Sequence, residues 1–253
     1  MSQRVVSLVP SITENLILFG KLPVGRTSFC IQPKGKVESI PVVGGTKTPK
    51  VQKILDLHPD FVIANREENR KEDVEAMGRA GLTVWVTYPT RVADVVPLMK
   101  ELAAICEKQD TAHKIILECE ATIEKLQHTK PRKRKRVVTL IWKDPWMAIG
   151  GETYSDDLIR VSGGDNPFSQ PENRYPQVTD QDILAARPDL LLLPSEPYAF
   201  TQSDRSDWSR KTQEAGLRTR VEFISGENLT WFGPRVREGL SELRRLIESE
   251  AVS

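Results

Sequence analysis

Apolar positions recur at helical spacing along one uninterrupted stretch, residues 110–127 (DTAHKIILECEATIEKLQ). The apolar residues that share one helical face are Ala112, Ile115, Ile116, Cys119, Ile123 and Leu126. Asp110 and Thr111 can cap the start of this helix, and no glycine or proline interrupts it. The pattern therefore predicts one continuous helix about 27 Å long, from a rise of about 1.5 Å per residue.

The same sequence pattern occurs once before and once after this helix. Residues 54–64 read ILDLHPDFVIA, and residues 183–193 read ILAARPDLLLL. Each copy predicts the last turn of a helix, a Pro-Asp turn and a buried strand. Strands and helices alternate on both sides, which is typical of mostly parallel sheets. We therefore expect two Rossmann-like α/β lobes, residues 1–105 and 136–253, joined by a connecting helix and basic linker over residues 106–135.

Three short motifs predict where individual helices begin. Ser11-Ile-Thr-Glu14 predicts a capping box with Ser11 as the N-cap, and Thr179-Asp-Gln-Asp182 is a variant of the same motif. Thr48-Pro49 predicts a helix with the threonine as N-cap and the proline at the first helical position. Trp142 ends a predicted buried strand over residues 137–142, so we expect its ring to lie in a core.

Composition excludes several classes of protein. A hydrophobic content of 39% with 28% charged residues is that of a soluble globular protein. The net charge of +1 gives no general attraction to nucleic acid, and the basic run at residues 130–136 is typical of a solvated linker. No apolar run approaches the roughly 20 residues that a membrane span needs. We expect a monomer that has no membrane span and does not bind nucleic acid.

Cysteine usage and the first residues suggest a compartment. Cys30, Cys106 and Cys119 are odd in number and widely spaced, which predicts free thiols in a reducing environment. A strand-like segment at residues 4–9 follows Met1 with no apolar export region before it. We therefore expect a cytoplasmic protein, or a periplasmic or cell-surface protein if a leader was removed.

Aromatic residues concentrate in loops that follow predicted strands. In parallel sheets ligands bind beyond the carboxyl ends of the strands. The aromatic residues in those loops are Tyr88, Trp146, Tyr198, Trp231 and Phe232. Such rings suit a large, flat ligand, although packing of one lobe against the other stays an alternative. No nucleophile–base pair accompanies them, and His58, His113 and His128 are too dispersed to meet at one metal ion.

Several motifs resemble, in order, one family of binding proteins. They are Arg4-Val-Val-Ser-Leu-Val-Pro-Ser-Ile-Thr-Glu14, the Ile-Leu-x-x-x-Pro-Asp repeat, Gly163-Gly-Asp-Asn166 and Phe232-Gly-Pro-Arg-Val-Arg-Glu-Gly-Leu240. This set is similar to the helical-backbone (class III) substrate-binding proteins of ABC importers, which serve vitamin B12, ferric siderophores and haem. Residues 64–69 (ANREEN) and 175–178 (YPQV) look most like the corrinoid-binding members, although Asn65 stands where some members have a corrinoid-stacking tryptophan.

The resemblance implies two lobes held by one rigid helix, with a ligand cleft between them. It also implies docking to an ABC permease through surface carboxylates, for which Glu72 is the candidate in the first lobe. We therefore expect a non-catalytic binding protein, with no intrinsic cofactor and no metal site, whose ligand is a corrinoid such as cobalamin. The five loop aromatics would stack on the ligand, while Arg66, Glu68 and Arg235 would meet amide, phosphate or carboxylate groups on its rim.

Other ligands and roles stay open within this resemblance. A ferric siderophore or haem would fit the same family, and a haem would want an axial histidine or tyrosine. The tyrosines that could serve are Tyr88, Tyr154, Tyr175 and Tyr198. A cytoplasmic corrinoid-handling protein or enzyme that reuses the fold is a further alternative.

Overall fold

The computed structural model describes residues 3–106, 109–129, 133–170 and 172–249. The chain folds into two compact units. Unit 1 consists of Met1–Pro89, Val95–Glu120 and Phe232–Pro234, and unit 2 consists of Thr90–Asp94, Ala121–Trp231 and Arg235–Ser253.

Unit 1 is built on a four-stranded parallel sheet and a small hairpin. Its strands are β1 (Val5–Ser7), β2 (Gly25–Arg26), β3 (Gly44–Gly45), β4 (Thr48–Pro49), β5 (Phe61–Asn65) and β6 (Val84–Thr87). The sheet order is β2-β1-β5-β6, while β3 and β4 pair antiparallel. Its helices are α1 (Pro10–Leu18), α2 (Val51–Asp56), α3 (Lys71–Arg79) and α4 (Val95–Ala104). The buried residues of one core are Val6, Leu8, Val43, Ile54, Val62 and Met77.

Two predicted helix starts in unit 1 are wrong. Helix α1 begins at Pro10, with Val9 as its N-cap and no capping side chain, because proline is already preorganised for the first helical position. Ser11 therefore lies inside the first turn, and its buried Oγ has no hydrogen-bond partner among the described residues. Thr48-Pro49 is strand β4, held in a hairpin by Lys50 N–H donating to Val43 O at 2.7 Å, and α2 starts only at Val51.

The long helix forms as predicted. Helix α5 runs without a break over Gln109–His128, and its buried positions are Ala112, Ile116, Cys119 and Ile123, all on the predicted apolar face. Residues of α5 up to Glu120 belong to unit 1 and those from Ala121 belong to unit 2. The division of the chain at residues 105 and 136 stays a prediction, and residues 130–132 of the basic linker lie outside the described part of the chain.

Unit 2 repeats the architecture with a five-stranded sheet. Its strands are β7 (Lys135–Trp142), β8 (Met147–Ala148), β9 (Gly164–Asp165), β10 (Leu190–Pro194) and β11 (Arg220–Ile224). The order is β11-β10-β7-β8, with β9 parallel to β7, and β8 pairs antiparallel. Its helices are α6 (Tyr154–Val161), α7 (Asp180–Ala185), α8 (Gln202–Glu214), α9 (Gly226–Thr230) and α10 (Val236–Glu248). The predicted fold class, two α/β lobes with mostly parallel sheets connected by one helix, is confirmed.

The predicted cap at Thr179 forms at the start of α7, whereas the predicted cap at Ser11 does not form at the start of α1. Thr179 Oγ1 accepts from Asp182 N–H at 3.2 Å, and Thr179 N–H donates to Asp182 Oδ2 at 2.8 Å, which completes the capping box of α7. We expect Thr179→Ala to lower the free energy of unfolding by about 1 kcal/mol, the usual cost of a lost N-cap. Ser11→Ala should leave stability unchanged or raise it, since the side chain it removes buries an oxygen that makes no hydrogen bond within the described chain. Urea unfolding of both variants checks this, and a comparable loss in Ser11→Ala would contradict it.

Candidate functional site

Each unit holds candidate ligand-contacting residues at the carboxyl edge of its own sheet. Parallel strands end at the same edge, so the loops that follow them collect there. In unit 1 this edge receives the loops after β2, β5 and β6, and in unit 2 it receives the loops after β7, β10 and β11.

In unit 1 the loop after β5 holds Arg66 against Tyr88. The guanidinium carbon of Arg66 lies 4.7 Å from the Tyr88 ring centroid, a cation–π contact, and both side chains are exposed. Asn65 forms the turn: its Oδ1 accepts from Glu67 N–H at 2.8 Å and from Glu68 N–H at 3.3 Å. Glu68 is half-buried beside this turn. Asn65 therefore shapes the loop that presents Arg66.

Phe29 is an exposed aromatic of unit 1 that the sequence analysis did not assign to the site. It follows β2 and is 60% exposed. The sequence predicts a strand over residues 24–29, whereas β2 ends at Arg26 and leaves Phe29 in the loop. Because the sequence pattern puts Phe29 inside the strand, it gives no signal that this ring is exposed.

In unit 2 five aromatic rings contact one another in a row, here called the aromatic row: Trp142, Tyr198, Phe200, Trp146 and Trp208. Trp142 meets Tyr198 edge to face with centroids 5.7 Å apart, and Tyr198 meets Phe200 at 4.8 Å. Trp146 stacks on Phe200 at 6.4 Å and contacts Trp208 at 5.4 Å. Trp142 at one end of the row is 44% exposed, whereas Trp208 at the other end is 0% exposed. One end is therefore core and the other faces solvent.

The prediction that Trp142 lies in a core is wrong. Strand β7 pairs with β10 only as far as Thr139, opposite Leu192, and then continues to Trp142 beyond that neighbour. The last residue pairs only with Met147 of the short strand β8. Because β10 no longer covers this end of β7, the Trp142 ring is left exposed beside Tyr198.

Trp146 is held by contacts within unit 2. Its Nε1 donates to Asp180 Oδ1 at 2.8 Å, and the ammonium groups of Lys143 and Lys211 lie 5.8 and 5.9 Å from the ring. The half-buried ring also packs against the core of the unit. Stacking of Trp146 on a ligand stays a prediction.

The ion pair of Lys143 with Asp204 anchors the turn after β7 to helix α8. Lys143 Nζ donates to the buried Asp204 Oδ1 at 2.6 Å. Burial by itself would raise the pKa of Asp204, but hydrogen bonds from Lys143 and Thr201 outweigh it and lower that pKa. The hydrogen bond to Asp204 in turn raises the pKa of Lys143. Both groups therefore carry their charges at neutral pH, which fixes the turn that follows Trp142.

A second group of side chains in unit 2, here called the Glu196 cluster, consists of Glu196, Glu227, Trp231 and Arg235. Trp231 Nε1 donates to Glu196 Oε1 at 2.8 Å, and the guanidinium carbon of Arg235 lies 5.2 Å from the Trp231 ring centroid. Arg235 also pairs with Glu227 at 3.0 Å. Burial raises the pKa of Glu196, partly opposed by the indole hydrogen bond. Trp231 is only 7% exposed, so little of its ring faces solvent.

Phe232, the neighbour of Trp231 in sequence, belongs to unit 1. It is 5% exposed, and its carbonyl oxygen accepts from Asn15 Nδ2 at 3.2 Å. The structure thus brings Arg66 to Tyr88 and Trp231 to Arg235, and it links Tyr198 to Trp146 through Phe200. Contact of any of these side chains with a ligand stays a prediction.

Three further findings bear on the class of protein. Within the described ranges, no three His, Cys, Asp or Glu side chains come together as a group that could hold a metal ion. Among the same residues, no helix combines the length and the apolar character required to cross a bilayer. Cys30, Cys106 and Cys119 are buried, and none of the three is in a disulfide.

Two α/β units with parallel sheets, connected through one continuous helix, define the class of two-lobed helical-backbone binding proteins. The family model described as periplasmic binding protein matches residues 5–223, and the chain belongs to that family. The family is one of solute-binding proteins, as the resemblance implied. Its description as periplasmic gives no support to the cytoplasmic prediction.

Individual relatives agree with this assignment. A vitamin B12-binding protein of Yersinia pestis is 23% identical over 196 residues, which are 76% of this chain and 69% of that protein. The periplasmic vitamin B12 binding protein of Vibrio cholerae has a similar structure, with a TM-score of 0.84, 19% identity and coverage of 97% and 96% of the two chains. The periplasmic heme-binding protein of Roseiflexus sp. RS-1 gives a TM-score of 0.80 at 21% identity, covering 98% of each chain.

Proposed function

We propose that this protein is a non-catalytic binding protein for a corrinoid such as cobalamin. The observation that carries the proposal is the pair of rings Trp142 and Tyr198 at the carboxyl edge of the unit 2 sheet. The Trp142 ring is exposed and the Tyr198 ring is half-buried. Exposed rings at such an edge are what a large ligand with a flat macrocycle requires. The vitamin B12-binding relatives point to the same ligand class.

Unit 1 offers a matching set of groups. Phe29 and Tyr88 are 60% and 38% exposed, and the guanidinium of Arg66 lies over the Tyr88 ring. Rings supply contact area, while the guanidinium can donate hydrogen bonds to amide oxygens or phosphate on a corrinoid rim. We propose Arg66, Glu68 and Tyr88 as the ligand-contacting residues of this unit, and Trp142, Trp146, Tyr198, Trp231 and Arg235 as those of unit 2. Contact of Phe232 with the ligand, and the placement of the ligand between the two lobes, stay predictions of the family resemblance.

Haem is the second candidate ligand, because similar structures include heme-binding proteins. Of the tyrosines that could serve as an axial ligand, Tyr154 is only 4% exposed, whereas Tyr88 and Tyr175 are each 38% exposed. The accessible candidates are therefore Tyr88, Tyr175 and the half-buried Tyr198. A ferric siderophore remains a third member of the same ligand class.

We propose that the protein delivers its ligand to an ABC permease. Glu72 lies exposed in the first turn of α3, where a carboxylate can meet a basic surface of a partner. The family description favours the periplasm as the place of this delivery. We also propose that the protein is a monomer and has no catalytic activity.

Titration of the purified protein with cyanocobalamin, haemin and a ferric siderophore tests the ligand. We expect saturable binding of cyanocobalamin at one site, followed by calorimetry and by the change in the corrinoid absorption spectrum. Binding of haemin with a Soret shift, and none of cyanocobalamin, would replace the corrinoid by haem. Absence of binding to all three would contradict the proposed function.

A further inference from the structure

We propose that Glu196 makes the unit 2 part of the site selective for ligands with amide groups and against ligands with carboxylates. The proposal rests on the proposed function and deepens it, since it names the rim chemistry that the site accepts. It assigns to Glu196 a role that the aromatic rings cannot have, because ring faces contact amide-bearing and carboxylate-bearing macrocycles alike.

The backbone around Glu196 is fixed at the edge of the sheet. Glu196 comes two residues after the end of β10 and two residues before Tyr198. Ser195 Oγ accepts from Gly226 N–H at 3.0 Å, and a Cβ at Gly226 would lie 2.3 Å from Glu196 Cγ. Only glycine at that position lets the loop come so close to the start of α9. The loop therefore holds Glu196 in the same strand-end segment as Tyr198, a ring of the aromatic row.

The side chain of Glu196 is oriented but keeps acceptor capacity. The Trp231 indole occupies Oε1 at 2.8 Å. A carboxylate has two oxygens and about four lone-pair sites, so it can accept further N–H groups while this hydrogen bond is in place. A primary amide on a ligand supplies such N–H donors, whereas a ligand carboxylate supplies none and brings a like charge.

The charges around Glu196 add to a negative total. The charged groups that act on it are Glu227 and Arg235, and these two pair with each other at 3.0 Å. With Glu196 ionised, the cluster holds two carboxylates and one guanidinium. Arg235 also donates to Asn228 Oδ1 at 3.3 Å. A ligand carboxylate placed here meets repulsion, while an amide meets an acceptor.

The test compares two ligands that differ in one group. Cyanocobalamin and its monocarboxylic acid, in which one side-chain amide is hydrolysed, are titrated by calorimetry at pH 8, an alkaline pH chosen because burial raises the pKa of Glu196. We expect the wild type to bind the amide form about tenfold more tightly, which equals about 1.4 kcal/mol. Glu196→Gln keeps an acceptor for Trp231 but removes the charge, so its preference should fall below about threefold.

Two further variants separate charge from geometry. Glu196→Asp keeps the charge on a shorter side chain, so it should retain most of the preference. Glu238→Gln removes an exposed carboxylate from the first turn of α10 in the same unit and should retain all of it. Thermal unfolding of each variant establishes that the fold is kept.

The outcomes separate this proposal from the proposed function. Tight binding of both ligands with no preference in the wild type, or an undiminished preference in Glu196→Gln, overturns the role of Glu196 and leaves corrinoid binding standing. If the wild type binds neither ligand, the proposed function fails, and the role of Glu196 fails with it. A preference lost equally in Glu238→Gln would also overturn the proposal, because general surface charge would then account for it.

Discussion

Trp142→Ala is expected to weaken cyanocobalamin binding about thirtyfold, close to 2 kcal/mol, while the melting temperature changes little. The ring is 44% exposed and braced edge to face by Tyr198 at 5.7 Å, so it offers a ligand a surface that is already oriented. Preorganised aromatic anchors are the side chains whose truncation typically costs this much. Little stability should be lost, because β10 does not pair with this end of β7. Calorimetric titration and a thermal scan measure the two quantities separately.

Phe223→Ala is the matched control for Trp142→Ala. Phe223 is an aromatic of the same unit with a similar exposure of 37%, but it lies within β11 under the guanidinium of Arg205, at 5.8 Å. The Phe223→Ala variant should bind cyanocobalamin with the same affinity as the wild type. Trp142→Phe should recover part of the affinity, since a smaller ring still covers part of the ligand. Full affinity in Trp142→Ala, or an equal loss in Phe223→Ala, would remove Trp142 from the site.

Trp208→Ala should lower the free energy of unfolding by about 3–5 kcal/mol, the usual range for truncating a buried aromatic residue. Trp208 on helix α8 is 0% exposed and packs in the core of unit 2 with the strands below it. Its ring also supports Trp146 at 5.4 Å and carries the Lys211 ammonium at 4.9 Å. Denaturant unfolding followed by circular dichroism gives the loss in stability.

Trp208→Phe is the informative companion variant. The buried Nε1 of Trp208 makes no hydrogen bond to the part of the chain that the structure describes. Phenylalanine would therefore lose packing volume without breaking a hydrogen bond, and we expect less than half of the cost of the alanine variant. If Trp208→Phe were as damaging as Trp208→Ala, the indole N–H would have to be engaged after all.

Helix α8 shows why part of unit 2 escaped the sequence analysis. Its thirteen residues are almost all polar, and the buried ones are Asp204, Trp208 and Thr212. These three positions are spaced at four residues and share one face, but two of them are polar, so no apolar stripe marks the helix. The capping box formed by Thr201 and Asp204 was the available signal. Trp208, the buried end of the aromatic row, was missed for the same reason.

For the candidate site residues, the sequence predicted their positions after strands but not their exposure to solvent. The sequence placed Tyr88 and Tyr198 after strands, and the structure has them there, because the carboxyl ends of parallel strands are set by the order of elements alone. It could not determine exposure. Trp142 is exposed to solvent only because β7 extends past its pairing with β10. Phe29 is exposed because β2 is only two residues long and ends before it. Both depend on register and strand length, which are decided between distant segments.

The sequence by itself determined the helix α5, the two Pro-Asp repeats and the parallel α/β class, because each rests on local periodicity or a local turn. The capping box at Thr179 was equally local and correct. Ser11 failed as a cap because the start of α1 was decided by Pro10 and by what packs around it. Only the tertiary structure decided which rings are core and which are exposed, and which charges meet. Glu196 is 35 residues from Trp231 in sequence, and only the folding of unit 2 brings it into one cluster with Trp231 and Arg235.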